Sequence, residues 1–356
     1  MANRDVVLLG SIALGSADEV FRTIVAALGE RVRRIPDGET GGARSYWIQA
    51  QTPFFLGNPQ LEMVEPDPAR PGGLRPARIP SAGLYSPTMA GAYRGQAKLR
   101  EGVDPADLRF DNFGYADWAE ESYGVFGRLK QEGLVPAATR FQVSIPSTQV
   151  MLQSRIYRPD VPKIAPAYEA AIFREVERIA ASIPHEELAI QWDCTEPVRY
   201  EEAPAEERRE LVARMAGLSA CVPEGVELGY HLCYGDWEHR HMREPDDAAT
   251  LVEMANGITA GVRRPIDWLH VPVPRSRDDD AYYAPLRDLK LQPETELVMG
   301  LIHHTDGIEG TRRRMQAANR VVSGYGISTE CGMGRRPAET IHELLQIHRE
   351  AADLIL

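Results

Sequence analysis

The sequence has few cysteines, no long apolar run and no excess of positive charge, and each absence excludes a class of protein. Its four cysteines lie far apart in 356 residues, which disfavours a disulfide framework, so we expect free thiols. No run approaches the roughly 20 apolar residues of a membrane-spanning helix. A formal net charge of −12 disfavours nucleic acids and anionic membranes as partners, because phosphate groups are bound by basic patches.

The sequence also lacks the features of a secreted protein. Its first residues, MANRDVVLLGS, do not show the charged, then apolar, then small-residue pattern of a signal peptide, so we expect a cytoplasmic protein. Apolar residues make up 43% of the chain, which is enough for a complete core. We expect residues 1–356 to form a single domain.

From residue 140 onward, short β-branched runs alternate with segments of helical periodicity. Strand and helix alternating at this spacing indicate βα units around a parallel sheet. Two further runs precede this region. The predicted strands are 5–11, 31–39, 140–147, 187–193, 226–233, 266–273, 296–304 and 325–331.

Eight strands alternating with helices predict an α/β fold, a (β/α)8 TIM barrel, and this chain length suits a barrel with an insertion. The alternative is an open doubly wound sheet, but no Gly-x-Gly-x-x-Gly motif follows the first run, which weakens its dinucleotide-binding version. Residues 40–138 are irregular and rich in proline, glycine and aromatic residues. We predict an insertion after strand 2, with a helix at about 115–132, that covers part of the barrel mouth.

Polar and ionisable residues stand at nearly every predicted strand end. In a barrel of this kind the active site is built where the strands end, so these side chains would converge on one cavity. They are Ser11, Asp37, Glu39, Ser147, Thr148, Asp193, Glu196, His231, Cys233, His270, His303, His304, Glu330 and Cys331.

The stretch GYHLCYGD places His231 and Cys233 two residues apart. In an extended chain, side chains at i and i+2 point to the same face, so both groups would meet one space. Imidazole and thiolate are ligands that zinc prefers, and a catalytic zinc takes three protein ligands. Cys331, at another strand end, is the third candidate. The alternative is a packed histidine with buried thiols.

Four motifs resemble those of a known family: HLCYGD (231–236), QWDCTEP (191–197), LIHHTDG (301–307) and STECGMGRR (328–336). They are similar to the strand-end motifs in the catalytic barrel of cobalamin-independent methionine synthase. That family belongs to a superfamily shared with uroporphyrinogen decarboxylase and the zinc-dependent epoxyalkane:coenzyme M transferases. The resemblance covers roughly residues 140–356, in the correct order along the chain.

The resemblance implies a zinc cofactor (Zn2+) held by His231, Cys233 and Cys331. The family's remaining zinc ligand is a glutamate at the end of the sixth strand, and the run IDWLHVPVPR has no glutamate there. His270 is the natural replacement, and Glu330, beside Cys331, is a second candidate. A neutral imidazole in place of a carboxylate would make the site more positive and hold an incoming thiolate more tightly.

The resemblance also implies roles outside the metal centre. Asp193 and Glu196 match the family's Gln-x-Asp-Glu-Pro stretch, although two residues stand between the acids here, where the family has them adjacent. The aspartate helps to hold the amino-acid substrate. His303 or His304 matches a histidine that donates a proton during methyl transfer, which suits an imidazole near neutral pH.

Further residues are candidates for substrate binding. Arg275, after the run HVPVP, suits a substrate carboxylate, although an ion pair with the nearby run Asp278–Asp280 is an alternative. The stretch IPDGETGG is typical of a turn, but it would deliver two acids to the barrel mouth. The candidate substrate-binding residues are Ser11, Asp37, Glu39, Ser147, Thr148 and Arg275.

The leading hypothesis for function is a zinc-dependent methyl- or alkyltransferase that acts on a thiol. Zinc would lower the pKa of the bound thiol, so that a thiolate exists near pH 7. The partners would be a small-molecule thiol and an alkyl donor, in the most specific form a folate. The alternatives are a zinc-dependent hydrolase or lyase, and a non-catalytic barrel that binds a small molecule.

Overall fold

The computed structural model describes residues 6–38, 51–64, 96–237, 240–241 and 244–354. Glu39, together with residues 40–50 and 65–95 of the predicted insertion, lies outside the described residues. The strands, in chain order, are β1 (Arg34–Pro36), β2 (Leu61–Val64), β3 (Gln96–Leu99), β4 (Arg140–Pro146), β5 (Leu188–Cys194), β6 (Glu227–Leu232), β7 (Asp236–Trp237), β8 (Arg240–His241), β9 (Trp268–Pro272), β10 (Glu296–Ile302) and β11 (Gly326–Thr329).

Helices connect most of these strands. None of the helices in the described part of the chain has both the length and the apolar character that crossing a lipid bilayer requires. In chain order they are α1 (Ala17–Leu28), α2 (Thr52–Leu56), α3 (Tyr115–Gln131), α4 (Thr148–Arg155), α5 (Val161–Ser182), α6 (Pro197–Tyr200), α7 (Ala205–Gly217), α8 (Ala249–Gly261), α9 (Asp280–Tyr283), α10 (Gly307–Ala318) and α11 (Ile341–Ala352).

One curled sheet of seven parallel strands forms the centre of the fold, in the order β1-β4-β5-β6-β9-β10-β11. Each strand pairs in parallel with the next strand of that order. Parallel neighbours need a crossover that returns the chain to the same end of the sheet, and the helices provide it. The predicted α/β class, with βα units around a parallel sheet, is therefore confirmed.

The segment that begins at Val6 contacts both edges of this sheet. Val6 forms parallel bridges with Val32, next to β1, and with Ile327 in β11. The Val6 N–H donates to the Arg31 carbonyl (2.9 Å), and the Val7 N–H donates to the Ile327 carbonyl (3.0 Å). On the outer face, the first helix, α1, packs against the last, α11. The residues of the first predicted strand therefore lie between β1 and β11, the two edge strands of the sheet.

The first helix shows how local sequence sets these elements. The Ser16 hydroxyl accepts a hydrogen bond from the Glu19 N–H (3.2 Å), which satisfies a donor that has no partner within the helix. Apolar residues recur at helical spacing and are buried, so the helix presents one apolar face to the core. These residues are Val20, Phe21, Ile24 and Leu28.

Packed side chains fill the space inside the curled sheet at the amino-terminal ends of its strands. The Arg34 guanidinium lies 4.2 Å from the centre of the Trp268 ring and pairs with Glu227 and Glu296. Gly229 leaves room for that ring, because a Cβ there would lie 1.9 Å from it. The carboxyl ends of the strands are therefore where a site can form.

The chain between β1 and β4 contains elements outside the main sheet. β2 and β3 form an antiparallel pair, as do β7 and β8 later in the chain. The helix predicted at about 115–132 is α3. Its amino-terminal end is held by Glu175 of α5, whose carboxylate accepts hydrogen bonds from the N–H groups of Phe113 (2.5 Å) and Ala116 (2.8 Å).

We expect Glu175→Ala to lower the free energy of unfolding by about 2 to 4 kcal/mol, because two buried N–H groups would lose a charged acceptor. Urea unfolding followed by circular dichroism measures this. Glu177→Ala, an exposed position on the same helix, is the matched control and should change the value by less than about 0.5 kcal/mol. Equal effects of the two substitutions would contradict the capping role.

Candidate metal centre and active site

Two cysteines and a histidine meet at the carboxyl ends of the non-adjacent strands β6 and β11. His231 lies in β6, Cys233 directly follows that strand, and Cys331 follows β11. The Sγ atoms of Cys233 and Cys331 are 3.9 Å apart. One possible ligand atom from each of the three residues lies within 4.8 Å of the other two. His231 and Cys233 are buried, whereas Cys331 is partly exposed.

The geometry of this group suits zinc. Two sulfurs bound to one tetrahedral zinc at ~2.3 Å each lie about 3.8 Å apart, and the observed separation is 3.9 Å. The backbone supports the position of one sulfur, since the Cys233 N–H donates to the Cys194 carbonyl (2.8 Å). Two thiolates and an imidazole form a three-ligand set of the kind found in catalytic zinc sites. Donor types and spacing therefore fit a zinc ion.

His270 lies beside His231 but is not part of the group of three. The Nδ1 atoms of the two rings are 2.8 Å apart. The other ring nitrogen of His270, Nε2, is 3.1 Å from the carbonyl oxygen of Thr329. Burial lowers the pKa of His270 to about 3, so the ring is neutral near pH 7. Both ring nitrogens of His270 are engaged by protein groups.

Glu330, the other candidate for a fourth ligand, is engaged by Arg336 and His303. Arg336 donates to Oε1 (2.9 Å), and His303 Nδ1 lies 3.4 Å from Oε2. His303 Nε2 donates to the carbonyl of Val273 (2.8 Å). Burial lowers the pKa of His303 to about 3, so the imidazole is neutral near pH 7. Its Nδ1 lone pair therefore faces the Glu330 carboxyl, one residue before Cys331.

A second polar group lies at the ends of β4 and β5. Gln191 donates to the Asp193 carboxyl (2.8 Å), and the Ser147 hydroxyl donates to Glu196. Burial raises the pKa of Asp193 to about 8 and that of Glu196 to about 7. Both carboxyls are thus partly protonated near pH 7. A cation placed beside them would favour the charged form and displace the protons.

Arg335 connects the two groups. Its guanidinium nitrogen Nη2 lies 3.9 Å from the Cys331 sulfur, and its charge also lowers the pKa of Asp193. Asp37, which follows β1, acts in the opposite direction and raises the pKa of Asp193. Asp193 is also in register with His231 across β5 and β6. The candidate metal-binding group, His231 with Cys233 and Cys331, therefore lies beside Asp193 and Glu196, the acidic group, at the same end of the sheet.

Two other predicted substrate-binding residues make local contacts. Ser11 packs against the loop that follows Cys331, since a Cβ at Gly334 would lie 2.5 Å from the Ser11 Cβ. Thr148 is buried at the start of α4, and its hydroxyl donates to Glu169 (3.2 Å). Ser11 thus borders the loop of the candidate metal-binding group, while Thr148 is directed toward α5.

Arg275 and His304 each contact a residue outside the candidate metal centre. Arg275 donates to the Thr305 hydroxyl (3.0 Å). His304 Nε2 is 2.9 Å from the Glu343 carboxylate of α11. Of the two histidines predicted as proton donors, His303 is the one in contact with Glu330.

Sequence reasoning missed the contacts of Arg335, Arg336 and Gln191. A signal for the arginines was available, because they follow the candidate thiolate Cys331 within five residues in STECGMGRR. Gln191 precedes Asp193 by two residues in β5 and so shares its face of the strand. Neither the composition nor the motifs assigned a role to the two arginines or to Gln191.

The fold matches that of solved structures. A protein from Listeria monocytogenes, provisionally described as a vitamin-B12 independent methionine synthase, matches with a TM-score of 0.53 and 15% identity, over 99% of this chain and 98% of that chain. This match supports the resemblance predicted from the motifs, at the level of the fold. No protein-family model matches the chain, and no curated protein sequence does.

Two further structures align more weakly, with TM-scores under 0.5. One is a B12-independent methionine synthase from Shewanella sp. W3-18-1 in complex with selenomethionine, with a TM-score of 0.48, 14% identity, and coverage of 74% of this chain and 69% of that chain. The other is a methyltransferase from Methanosarcina mazei, with a TM-score of 0.49, 10% identity, and coverage of 98% and 96%.

Proposed function

We propose that this chain, which has the fold of a protein described as a vitamin-B12 independent methionine synthase, is a zinc-dependent transferase that moves a methyl or alkyl group to a thiol. The proposal depends on the meeting of His231, Cys233 and Cys331, with two sulfurs 3.9 Å apart. When bound, zinc would lower the pKa of a substrate thiol, so that a thiolate nucleophile is present near pH 7.

The architecture proposed with this function is a closed (β/α)8 barrel in a single domain of residues 1–356. The bridges from Val6 to both edges of the sheet support an eighth strand at that position. Residues 40–138 would then be an insertion after the second strand, covering part of the mouth. Catalytic groups of such barrels stand at the carboxyl ends of the strands, which is where the three metal-binding residues lie.

The acidic group suits the ammonium of an amino-acid thiol. Asp193 and Glu196 are carboxyls whose raised pKa values reflect lost solvation, and a neighbouring ammonium would restore that stabilisation. Arg335, next to both Asp193 and the Cys331 sulfur, provides positive charge for the substrate carboxylate. We therefore propose a small amino-acid thiol as acceptor. The partner would be an alkyl donor, in the most specific form a folate.

His303 and Glu330 would handle the proton that the leaving group of the donor requires. His303 Nδ1 and Glu330 Oε2 are 3.4 Å apart, so the proton that the acceptor thiol loses would be held between these two bases until the leaving group takes it. Arg336 holds the opposite oxygen of the same carboxyl at 2.9 Å and fixes its orientation. A proton delivered from this pair would enter the site beside Cys331.

A zinc-dependent hydrolase or lyase is the second candidate, for one specific reason. The metal-binding group proposed from the described residues has three members and lacks the carboxylate that the family it resembles adds. A more positive centre holds a thiolate more tightly and makes it a weaker nucleophile. The fourth position of a zinc ion bound by these three residues would also suit a water molecule.

X-ray absorption at the zinc edge separates the two candidates. We expect the zinc-loaded protein to show two sulfur neighbours, and a third sulfur after homocysteine is added, because the proposed acceptor binds through its thiol. The control ligand is homoserine, which carries a hydroxyl in place of the thiol and should add no sulfur. An unchanged sulfur count with homocysteine would reject the transferase and favour hydrolysis or elimination.

A further inference from the structure

His270 connects the two strands that carry the metal-binding residues. Its ring is fully buried in β9, with Nδ1 2.8 Å from His231 Nδ1 on the β6 side. Its Nε2 lies 3.1 Å from the Thr329 carbonyl in β11, on the other side. One imidazole thus spans the gap between the last residues of β11 and the histidine of β6.

The positions of the protons follow from the chemistry of these partners. Two backbone carbonyls contact the His270 ring, and the Thr329 carbonyl makes the stronger contact, with the Leu232 carbonyl second. A carbonyl oxygen only accepts, so Nε2, 3.1 Å from the Thr329 oxygen, carries the ring proton. In a neutral ring, Nδ1 of His270 then has the lone pair and accepts from the Nδ1–H of His231. A neutral His231 that donates from Nδ1 has its own lone pair on Nε2. That is the tautomer in which His231 binds a metal through Nε2.

Gly300 makes this connection sterically possible. It lies in β10, the strand between His270 and Thr329. A Cβ at Gly300 would be 2.8 Å from His270 Nε2 and 2.8 Å from the Thr329 oxygen, distances that such atoms essentially never adopt. The absence of a side chain at this one position therefore lets the imidazole reach past β10 to the next strand.

Thr329 extends the connection to the second half of the metal centre. Its hydroxyl donates to the backbone carbonyl of Cys331 (2.7 Å). A displacement of Thr329 would therefore move Cys331 as well. The hydrogen bonds from His231 through His270 and Thr329 to Cys331 form one continuous series, which is buried except at its Cys331 end.

We propose that His270 is a positioning residue of the metal centre, which holds His231 in its metal-binding tautomer and couples it to the Cys331 loop. This proposal rests on the proposed zinc site and adds a residue that acts through His231 instead of binding the ion. The family resemblance led us to expect a metal ligand at this position in β9, and the proposal gives the histidine there a role beside the metal centre instead. Outer partners of this kind orient the ligating imidazole and raise its affinity for the metal.

The test compares two substitutions of His270. His270→Phe keeps a ring of similar shape but removes both hydrogen bonds, and we expect zinc affinity to fall about 10- to 100-fold. In His270→Gln, the amide oxygen accepts from His231 and the amide nitrogen donates to Thr329, so the affinity should stay within about threefold of the wild type. Competition with a chromophoric chelator gives the affinities, and the absorption bands of the cobalt-substituted protein report the ligand geometry.

His348→Phe is the matched control, because His348 is also a fully buried histidine but lies in α11, where its Nδ1 contacts the Leu344 carbonyl. It should leave zinc affinity unchanged. Equal zinc affinity and equal cobalt spectra for His270→Phe and wild type would overturn the positioning role while leaving the proposed function intact. A wild-type chain that binds no zinc would overturn the proposed function itself.

A measurement on the unaltered protein covers the case in which His270→Phe fails to fold. Long-range proton–nitrogen spectra of the zinc-loaded chain, labelled with nitrogen-15 in histidine, identify the protonated nitrogen of each ring. We expect protons on His231 Nδ1 and His270 Nε2. A proton on His270 Nδ1, or on His231 Nε2, would overturn the proposal.

Discussion

We expect the replacement of either Cys233 or Cys331 with serine to remove bound zinc from the protein. We expect about one zinc per wild-type chain after dialysis, and less than about a tenth of that in each variant. The reason is that a serine hydroxyl stays protonated near pH 7 and is a poor zinc ligand, whereas the thiolates supply two of the three donors. Metal content is measured by mass spectrometry of the purified protein.

Cys221→Ser is the matched control, since it makes the same substitution outside the group. The Cys221 thiol is half-buried and faces the Leu218 carbonyl at 3.3 Å, a contact that a serine hydroxyl also makes. This variant should retain full zinc content. Metal-free wild type would reject both the transferase and the hydrolase hypotheses. Zinc retained in both site variants would place the ion elsewhere.

We expect the binding of an amino-acid ligand to tighten as the pH rises from 6 to 7.5. Asp193 and Glu196 have pKa values raised by burial to about 8 and about 7, so both are largely protonated at pH 6. An ammonium ligand requires the ionised carboxylates, and protons are released when it binds. We expect the Kd for methionine, which has no thiol proton of its own, to fall at least about tenfold over this range. Isothermal titration calorimetry in buffers of different ionisation enthalpy measures the affinity and the protons released.

Two comparisons test whether Asp193 and Glu196 cause this pH dependence of binding. In Asp193→Asn, we expect weaker binding at pH 7.5 and a smaller dependence on pH, because only Glu196 still titrates. A methionine analogue without the amino group should bind weakly and with little dependence on pH in the wild type. If the wild type binds methionine equally at both pH values, the acidic group does not hold the ammonium.

The sequence by itself determined the class of fold and the side chains that stand at the carboxyl ends of the strands. Alternating β-branched and helical segments predict a parallel sheet, because only a crossover returns the chain to start a parallel neighbour. The His-x-Cys spacing predicts that His231 and Cys233 share a face, because side chains in a strand alternate with a period of two. Both conclusions depend on the local geometry of strands and helices, which can be read from the order of residues along the chain.

The tertiary structure alone decided how residues from different strands meet. The distance between the sulfurs of Cys233 and Cys331 depends on the register and curvature of four strands, and no spacing along the chain expresses either. The same holds for His270, which the resemblance made one of two candidates for the fourth metal ligand and which the structure places between His231 and Thr329. Its reach depends on Gly300, in a different strand. The raised pKa of Asp193 likewise comes from burial, which exists only once the strands have packed together.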